Sequence, residues 1–386
     1  MRTWYFSNFY FFYFATIGII MPYWSLYLDH KGFSAKDIGQ LMAIFLFTKM
    51  VAPNIWATLA DRISIRNGNV LVLLKVATLM TFAIYLLMYS VNGFWPVAGV
   101  MFGYCVFWNA SLPQLEAATL NHLNDKRDYG RVRLWGSVGF IVTVFGVGVL
   151  MDFTGPSSIL PAGAIALGAL FLSSMLMNGP SRSSELSDNE PVSLLAIIDL
   201  RVLVLMFFCI LMQVSHAPLQ TFLSLYLLEY GYSNSQIGLL WTTGVVFEIG
   251  VFIIAFRLLE KFRLSSLLTL TFIVSMVRWT LLASFPYLPI VVFVTQAMHA
   301  ITFGLYHIVM IQLIDRFFVG AYQVRGQALY SSLTFGLGGA IGSFLSGYLW
   351  TDYGKQELFY LCGLLMLIVS LISLFVMPKI TGETSR

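Results

Sequence analysis

The chain has 386 residues, of which 58% are hydrophobic, 16% aromatic and only 10% charged, with a formal net charge of +4 and a mean hydropathy of +0.81. This composition excludes a soluble globular domain. Because roughly 20 apolar residues cross the hydrocarbon core of a bilayer, the length suits about twelve spans with short loops.

The apolar segments fall into two sets of six along the chain. The first segment runs from Trp4 to Leu28; it is too long for a signal-peptide core and lacks a small-residue cleavage site, so we predict an uncleaved first helix. The predicted fold is an all-α membrane protein with twelve transmembrane helices, which cover residues 5–28, 36–60, 68–90, 94–120, 131–152, 157–178, 198–228, 234–257, 264–285, 288–314, 322–350 and 356–377.

A polar stretch separates the two sets. Residues Gly179 to Pro191 are rich in Ser, Asp and Glu, which is typical of a linker. We therefore predict an N-terminal six-helix bundle over 1–180, a cytoplasmic linker over 181–195 and a C-terminal six-helix bundle over 196–386.

The distribution of Lys and Arg predicts the orientation, because these residues accumulate in cytoplasmic loops. With both ends cytoplasmic, most of the 22 Lys and Arg residues fall on the cytoplasmic side. The exceptions are Lys31, Lys36 and Lys355 on the opposite side, and Lys49 and Arg278 within spans. We expect an even number of helices and both termini in the cytoplasm.

The second half of the sequence repeats the first at a constant offset of 199 residues. The tetrapeptide Ser-Leu-Tyr-Leu occurs at 25–28 and again at 224–227. Parallel repeats of six helices, with the solute site near the membrane midplane, are how major facilitator transporters are built. The repeat therefore predicts two pseudo-symmetric bundles. The same offset aligns Gly32, Ser34, Ile38 and Gly39 with Gly231, Ser233, Ile237 and Gly238.

The register of the repeat also aligns charged residues. Asp61-Arg62 aligns with Glu260-Lys261, an acid followed by a base at the predicted cytoplasmic ends of helices 2 and 8. We interpret these four residues as a gate that latches the closed state and governs the transport rate more than the affinity.

Lys49 in helix 2 aligns with Glu248 in helix 8, and both lie deep in apolar sequence. An ionisable group there costs on the order of 3 kcal/mol, so it faces a cavity or a partner. Two interpretations stay open: a structural ion pair between the halves, or a role in binding substrate or protons.

Further polar side chains occur within the predicted spans. Asn109 and Glu116 share a face of helix 4, and Gln296 and His299 share a face of helix 10. Lone histidines on apolar helices are more often packing residues, and we assign His216 and His307 to that class. The candidates for substrate binding or proton coupling are Lys49, Asn109, Glu116, Arg133, Glu248, Arg278, Gln296 and His299.

The charges placed at the cavity favour an anionic solute. Lys49, Arg133 and Arg278 exceed Glu116 and Glu248 by one positive charge, which a small anion would balance. The abundant aromatic rings could stack on an aromatic acid, although composition alone barely favours one.

Three segments carry a family resemblance. Residues 128–137, the opening with Tyr13-Phe14, Gly18 and Pro22, and the stretch 231–248 resemble the lactose-permease relatives of the major facilitator superfamily. More closely, and over nearly its whole length, the chain resembles the bacterial 3-phenylpropionic acid transporters. The resemblance implies a multi-pass protein of the bacterial inner membrane.

The resemblance also implies roles for individual residues. Glu116 and Arg133 match the charge pair that holds sugar in the lactose permease. Glu248, Arg278 and His299 match its carboxylate on helix 8, its arginine on helix 9 and its histidine on helix 10.

Three positions depart from the lactose permease. Gln296 stands where it has a lysine, Thr302 where it has the proton-carrying glutamate, and Phe140 where it has a sugar-stacking tryptophan. These departures argue against galactoside transport and require a different proton site.

The sequence favours proton symport of a small aromatic carboxylate such as 3-phenylpropionate, by rocking of residues 1–180 against 195–386. Glu248 is the first candidate for the proton carrier, with Lys49 or Arg278 as the neighbouring cation, and Glu116 with Arg133 is the second. A sugar, oligosaccharide or nucleoside proton symporter and a metabolite or drug exporter remain alternatives.

Other functional classes lack support. The sequence has neither the nucleophile and metal-ligand patterns of an enzyme nor the phosphate loop of an ATP-driven pump. A sensor would carry an output domain, for which neither tail is long enough. We expect no cofactor, metal, disulfide or nucleic acid; the partners are a small solute, protons and membrane lipid, and the two halves suffice for a monomer.

Overall fold

The computed structural model describes residues 3–65, 70–123, 128–177 and 199–383, and the predicted linker 181–195 lies outside these ranges. The described residues are almost entirely helical. The helices are α1 (Trp4–His30), α2 (Ala35–Ile65), α3 (Val70–Leu86), α4 (Phe94–Trp108), α5 (Ser111–His122), α6 (Tyr129–Thr154), α7 (Ile159–Met175), α8 (Leu200–Glu229), α9 (Asn234–Lys261), α10 (Leu264–Ser284), α11 (Pro289–Ala297), α12 (Tyr306–Phe317), α13 (Gln323–Ser331), α14 (Gly339–Asp352) and α15 (Lys355–Ile380).

Within these ranges, eleven helical segments are long and apolar enough to cross a membrane. The prediction of a single helix over 94–120 was wrong. The chain breaks at Asn109 and Ala110, between α4 and α5. Pro113 explains the position of the break. A proline has no N–H to donate to the carbonyl four residues earlier, here that of Asn109, and its ring clashes with that carbonyl.

Two other predicted spans contain wide π turns. A π turn over Ala300–Leu305 joins α11 to α12, and another over Ser332–Gly338 joins α13 to α14. The hydrophobic pattern predicted continuous helices over 288–314 and 322–350. Single π turns within helices are rare and occur frequently at functional sites.

The described residues form two compact units. The first unit is drawn from residues 1–187 with 233–238, and the second from residues 188–232 with 239–386. In the first unit α1 packs against α6, and α3 packs against α7. In the second, α8 packs against α14, and α10 packs against α15. The same pairs of repeat-related helices therefore form the core of each unit.

Glycines permit the close approach of these helices. A Cβ atom at Gly139 on α6 would collide with the backbone of Phe11 on α1. A Cβ atom at Gly342 on α14 would lie 2.5 Å from the Cβ of Ala217 on α8. Small residues let helix backbones pack closely in membranes, so these glycines set the spacing of the helices.

The two copies of the internal repeat begin α2 and α9 with similar hydrogen bonds. Before α2, the Ser34 amide donates to Asp37 Oδ2 at 3.1 Å; before α9, the Ser233 amide donates to Gln236 Oε1 at 2.9 Å. Both are capping boxes, which satisfy amides left without partners at a helix start. Each follows a glycine in the left-handed region, with φ of +85° at residue 32 and +82° at residue 231.

Candidate functional site

The second unit assembles a polar cluster around Arg278. This arginine lies in the middle of α10 and has no exposed surface. Its Nη1 donates to Thr302 Oγ1 at 2.9 Å and lies 3.3 Å from His299 Nδ1, and its Nη2 donates to Gln296 Oε1 at 3.3 Å. Gln296 lies at the end of α11, His299 directly precedes the π turn and Thr302 lies within it. All three are uncharged when His299 is neutral.

The positive charge of Arg278 has no carboxylate partner in the described part of the second unit, where no acidic oxygen lies within 4.0 Å of the guanidinium. Two buried donors of the cluster, Arg278 Nε and Gln296 Nε2, also have no hydrogen-bond partner among the described residues. A buried charge without a counter-charge is costly. The cluster therefore combines a fixed cation with unused donors, which is the arrangement that an anion would satisfy.

Glu248 and His299 form the accessible edge of this cluster. His299 Nε2 lies 3.9 Å from Glu248 Oε2, and the two side chains are 19% and 17% exposed. A guanidinium can only donate, so His299 Nδ1 accepts from Arg278 and the neutral ring carries its proton on Nε2, toward Glu248. A Cβ at Gly304 would lie 3.0 Å from Glu248 Cγ, so this glycine permits the carboxylate to approach the π turn.

An aromatic ring, that of Trp279, also lies beside the guanidinium. Its central carbon lies 4.6 Å from the ring centroid of Trp279, and the buried His216 meets the same indole ring at 4.8 Å in a T-shaped contact. His216 Nδ1 also lies 2.9 Å from the Met212 carbonyl oxygen, to which it can donate. These contacts agree with the predicted packing role of His216. The ring of His307 stacks beside Phe303 at 6.3 Å, also a packing contact.

The first unit holds the second pair of candidate charges, Glu116 on α5 and Arg133 on α6. Tyr129 donates its hydroxyl to Glu116 Oε1 at 3.3 Å, and the Arg133 guanidinium lies 4.4 Å from the ring centroid of Phe14. No contact within 4.0 Å joins the two charged groups among the described residues. The pair expected from the lactose-permease resemblance is thus supported by a tyrosine and a phenylalanine instead of direct contact.

Lys49 and Asn109 lie near the break between α4 and α5. The Lys49 ammonium is 5.0 Å from the ring centroid of Phe45, and Asn109 donates to Thr48 Oγ1 at 3.0 Å and to the Cys105 carbonyl oxygen at 2.9 Å. Broken helices line the solute sites of many transporters. The Asn109 amide therefore lies at the break, and the Lys49 amine lies on α2, which packs against α4.

The structure describes the side chains of two of the four predicted gate residues. Glu260 and Lys261 are exposed at the end of α9, with the Lys261 ammonium 5.6 Å from the Phe262 ring. The side chains of Asp61 and Arg62 lie outside the described part of the structure. The gate stays a prediction.

Sequence reasoning missed three contributors to these clusters. Thr302 makes the shortest contact to Arg278, whereas the sequence showed only that it replaces a glutamate. Tyr129 and Phe14 lie in the segments that carry the family resemblance, yet nothing in their spacing indicated that they support Glu116 and Arg133. Among the described residues, no group of three or more His, Cys, Asp or Glu side chains is arranged to hold a metal ion.

Comparison with known proteins identifies the family. The sequence model of the MFS_1 like family matches residues 3–361. The chain is 30% identical to the probable 3-phenylpropionic acid transporter of Escherichia coli (strain K12), over 96% of each chain. It is 28% identical to the maltose permease of Geobacillus stearothermophilus, over 95% of this chain and 93% of that relative. The predicted resemblance to the 3-phenylpropionic acid transporters is therefore confirmed.

Solved structures agree on the architecture. The crystal structure of the nucleoside transporter NupG matches with a TM-score of 0.83 over 98% of this chain and 99% of that chain, at 14% identity. At this identity the likeness establishes the fold and leaves the substrate open. The predicted major facilitator fold is confirmed, and the relatives are transporters, not enzymes. The chain belongs to the MFS_1 like family of major facilitator membrane transporters.

Proposed function

We propose that this transporter is a proton-coupled symporter of a small aromatic carboxylate, such as 3-phenylpropionate, that works by alternating access. It acts as a monomer in the bacterial inner membrane with both termini in the cytoplasm. Its relative in Escherichia coli carries the name of a probable 3-phenylpropionic acid transporter, which supports this substrate over other anions.

Arg278 carries the proposal. Its guanidinium is fully buried and meets three uncharged acceptors and an indole ring. Planar guanidinium groups bind carboxylates through two parallel hydrogen bonds, which makes arginine the preferred residue for this recognition. A substrate carboxylate that enters past His299 would supply the missing negative charge and accept from the unused donors.

Glu248 supplies the coupling to protons. When Glu248 is ionised, its negative charge opposes the positive field of Arg278 at the edge of the cluster. When Glu248 takes up a proton, that field is available to an anionic substrate. Proton and carboxylate therefore bind together with little change in the net charge of the site, which favours symport.

The proposal is tested with the purified full-length protein in proteoliposomes. Uptake of radiolabelled 3-phenylpropionate is measured with and without an inward proton gradient, and maltose and uridine are measured in parallel. We expect the gradient to drive accumulation of 3-phenylpropionate above the level in empty vesicles. In Glu248→Gln, accumulation is lost while exchange between equal substrate pools continues.

Glu357→Gln is the matched control, because Glu357 is an exposed carboxylate near the start of α15. It should accumulate substrate like the unmodified protein. Gradient-driven uptake of maltose or uridine without 3-phenylpropionate uptake would replace the proposed substrate with a sugar or nucleoside. Loss of exchange together with accumulation in Glu248→Gln would contradict the assigned proton role.

A further inference from the structure

A cavity lies at one end of the second unit, and no residue of the Arg278 cluster lines it. Its volume is about 390 Å³, and three helix ends meet around it: the start of α8 and the last turns of α12 and α15. Lys and Arg in the adjoining loops predict that this end is cytoplasmic. The lining is Asp199, Arg201, Val202, Leu313, Arg316, Phe317, Ile380, Thr381 and Gly382.

The charged groups at the cavity are two arginines in its lining, one acid in its lining and a second acid, Glu383, that pairs with Arg316 from beside it. Arg201 and Arg316 both line the cavity, whereas Asp199 is the only acidic residue of the lining within the described chain. Asp199 is itself occupied: Oδ1 accepts from the Val202 amide at 3.0 Å, and Oδ2 accepts from Arg201 Nε at 2.8 Å. These hydrogen bonds from the Val202 amide and from Arg201 hold the pKa of Asp199 below its usual value, so its charge is already compensated.

Both arginines keep donors for a ligand. Arg201 uses Nε and Nη2 on Asp199, and Arg316 uses Nη1 on Glu383 at 3.3 Å. In the described part of the chain no other acid contacts them. Their side chains are 60% and 55% exposed, so the remaining guanidinium donors face solvent at the mouth of the cavity.

Apolar surface begins directly beside these cations. On α8, Leu200, Leu203 and Phe207 follow one face of the helix, and Phe207 is 57% exposed. On α15, which packs against α8, Phe375 is 73% exposed. In a chain that spans a membrane, these side chains face acyl chains.

We propose that this cavity binds the phosphate headgroup of an anionic phospholipid, with its acyl chains along the exposed faces of α8 and α15. Basic pockets at the cytoplasmic ends of membrane helices suit such headgroups. Asp199 and Glu383 already accept hydrogen bonds from the protein, so the ammonium of a zwitterionic headgroup meets no free acid among the described residues here, whereas the remaining guanidinium donors can bind a phosphate. The adjoining apolar surface selects a lipid over free phosphate, which could use only the arginines.

The test is a titration of the full-length protein in detergent, followed by native mass spectrometry of the bound lipid. Phosphatidylglycerol is compared with phosphatidylethanolamine, and inorganic phosphate is added as a competitor. We expect phosphatidylglycerol to bind more tightly than phosphatidylethanolamine, and millimolar phosphate to leave it bound. The double variant Arg201→Gln/Arg316→Gln should weaken phosphatidylglycerol binding roughly 30-fold, as expected for two basic residues beside an anionic lipid.

Arg257→Gln is the matched control, an exposed arginine on α9 that does not line the cavity. It should bind phosphatidylglycerol like the unmodified protein. Arg201→Lys/Arg316→Lys keeps both charges and should stay within about threefold, which separates lost charge from lost folding. Equal affinity in the double Gln variant and in Arg257→Gln, equal binding of both lipids, or displacement by phosphate would each overturn the proposal.

Discussion

The two units hold the cations within their membrane-spanning helices in different ways. In the second unit, Arg278 has no exposed surface and is fixed by hydrogen bonds to Thr302, His299 and Gln296. In the first unit, Arg133 and Lys49 are partly exposed and lie against aromatic rings.

This difference bears on function. A guanidinium that is fixed and fully buried has already lost its hydration, so an arriving anion gains the full charge interaction. A cation over a ring keeps part of its hydration and is held by about 1 kcal/mol. We therefore expect the second unit to set substrate affinity and the first unit to adjust it.

Removal of Arg278 should have the largest effect. Arg278→Gln should lower 3-phenylpropionate transport about 100-fold, because truncation of one partner of a buried charge pair costs about 2–5 kcal/mol. Initial uptake rates in proteoliposomes measure the effect. Arg257→Gln, an exposed arginine changed in the same way, should transport normally. A loss under threefold in Arg278→Gln would remove the distinction between the two units.

Replacing a glycine at a close helix contact should destabilise the protein to a similar extent in both units. Gly139→Ala and Gly342→Ala should each destabilise the protein by about 1–3 kcal/mol, because the added methyl meets the adjacent helix. Thermal unfolding in detergent measures this. Gly146→Ala is the control on α6, since nothing lies within 4 Å of its added methyl. Equal melting temperatures for all three variants would contradict the packing account.

The tyrosine in the first unit should have a moderate effect. Tyr129→Phe removes the 3.3 Å hydrogen bond to Glu116; at the lower end of the range for bonds to a charged group this is about 1.5 kcal/mol, or roughly 10-fold in KM. Tyr287→Phe, an exposed tyrosine, is the control. An unchanged KM for Tyr129→Phe would place Glu116 outside the binding site.

The smallest effect concerns the end of the chain. Burial alone would raise the pKa of Glu383, but hydrogen bonds from Ser265, from the Leu264 amide and from Arg316 lower it below the usual 4.5. A lowered folded-state pKa contributes stability above the unfolded pKa, and that contribution is lost as pH falls through the folded value.

Glu383→Gln should therefore lower stability at pH 6–7 by less than about 1 kcal/mol, since its charged partner Arg316 is 55% exposed and the pair is screened by solvent. The difference from the unmodified protein should shrink below pH 4.5. Melting temperatures across this range measure it, with the exposed Glu357→Gln as the control. A difference that grows on acidification would have the wrong sign.

Much of the fold could be predicted from the sequence. Long apolar runs determine the spans, and the repeat at offset 199 corresponds to paired capping boxes at Ser34 and Ser233. The break at Asn109 had a local signal in Pro113 four residues later. The π turn at Ala300–Leu305 had none, because its apolar residues fit an α-helix equally well.

The site was only partly predictable. Charged residues are rare in apolar sequence, and for this reason Arg278, Glu248 and Glu116 could be predicted as site residues. The partners of these groups depend on tertiary packing, so the contact of Thr302 with Arg278, and that of Phe14 with Arg133, could not be read from spacing.

Proton uptake on substrate binding tests the central claim most directly. Adding 3-phenylpropionate to the purified protein in weakly buffered solution should raise the pH of the medium as Glu248 takes up a proton. Glu248→Gln should bind the substrate without that change. Binding by the unmodified protein with no proton uptake, or the same uptake in Glu248→Gln, would contradict the account.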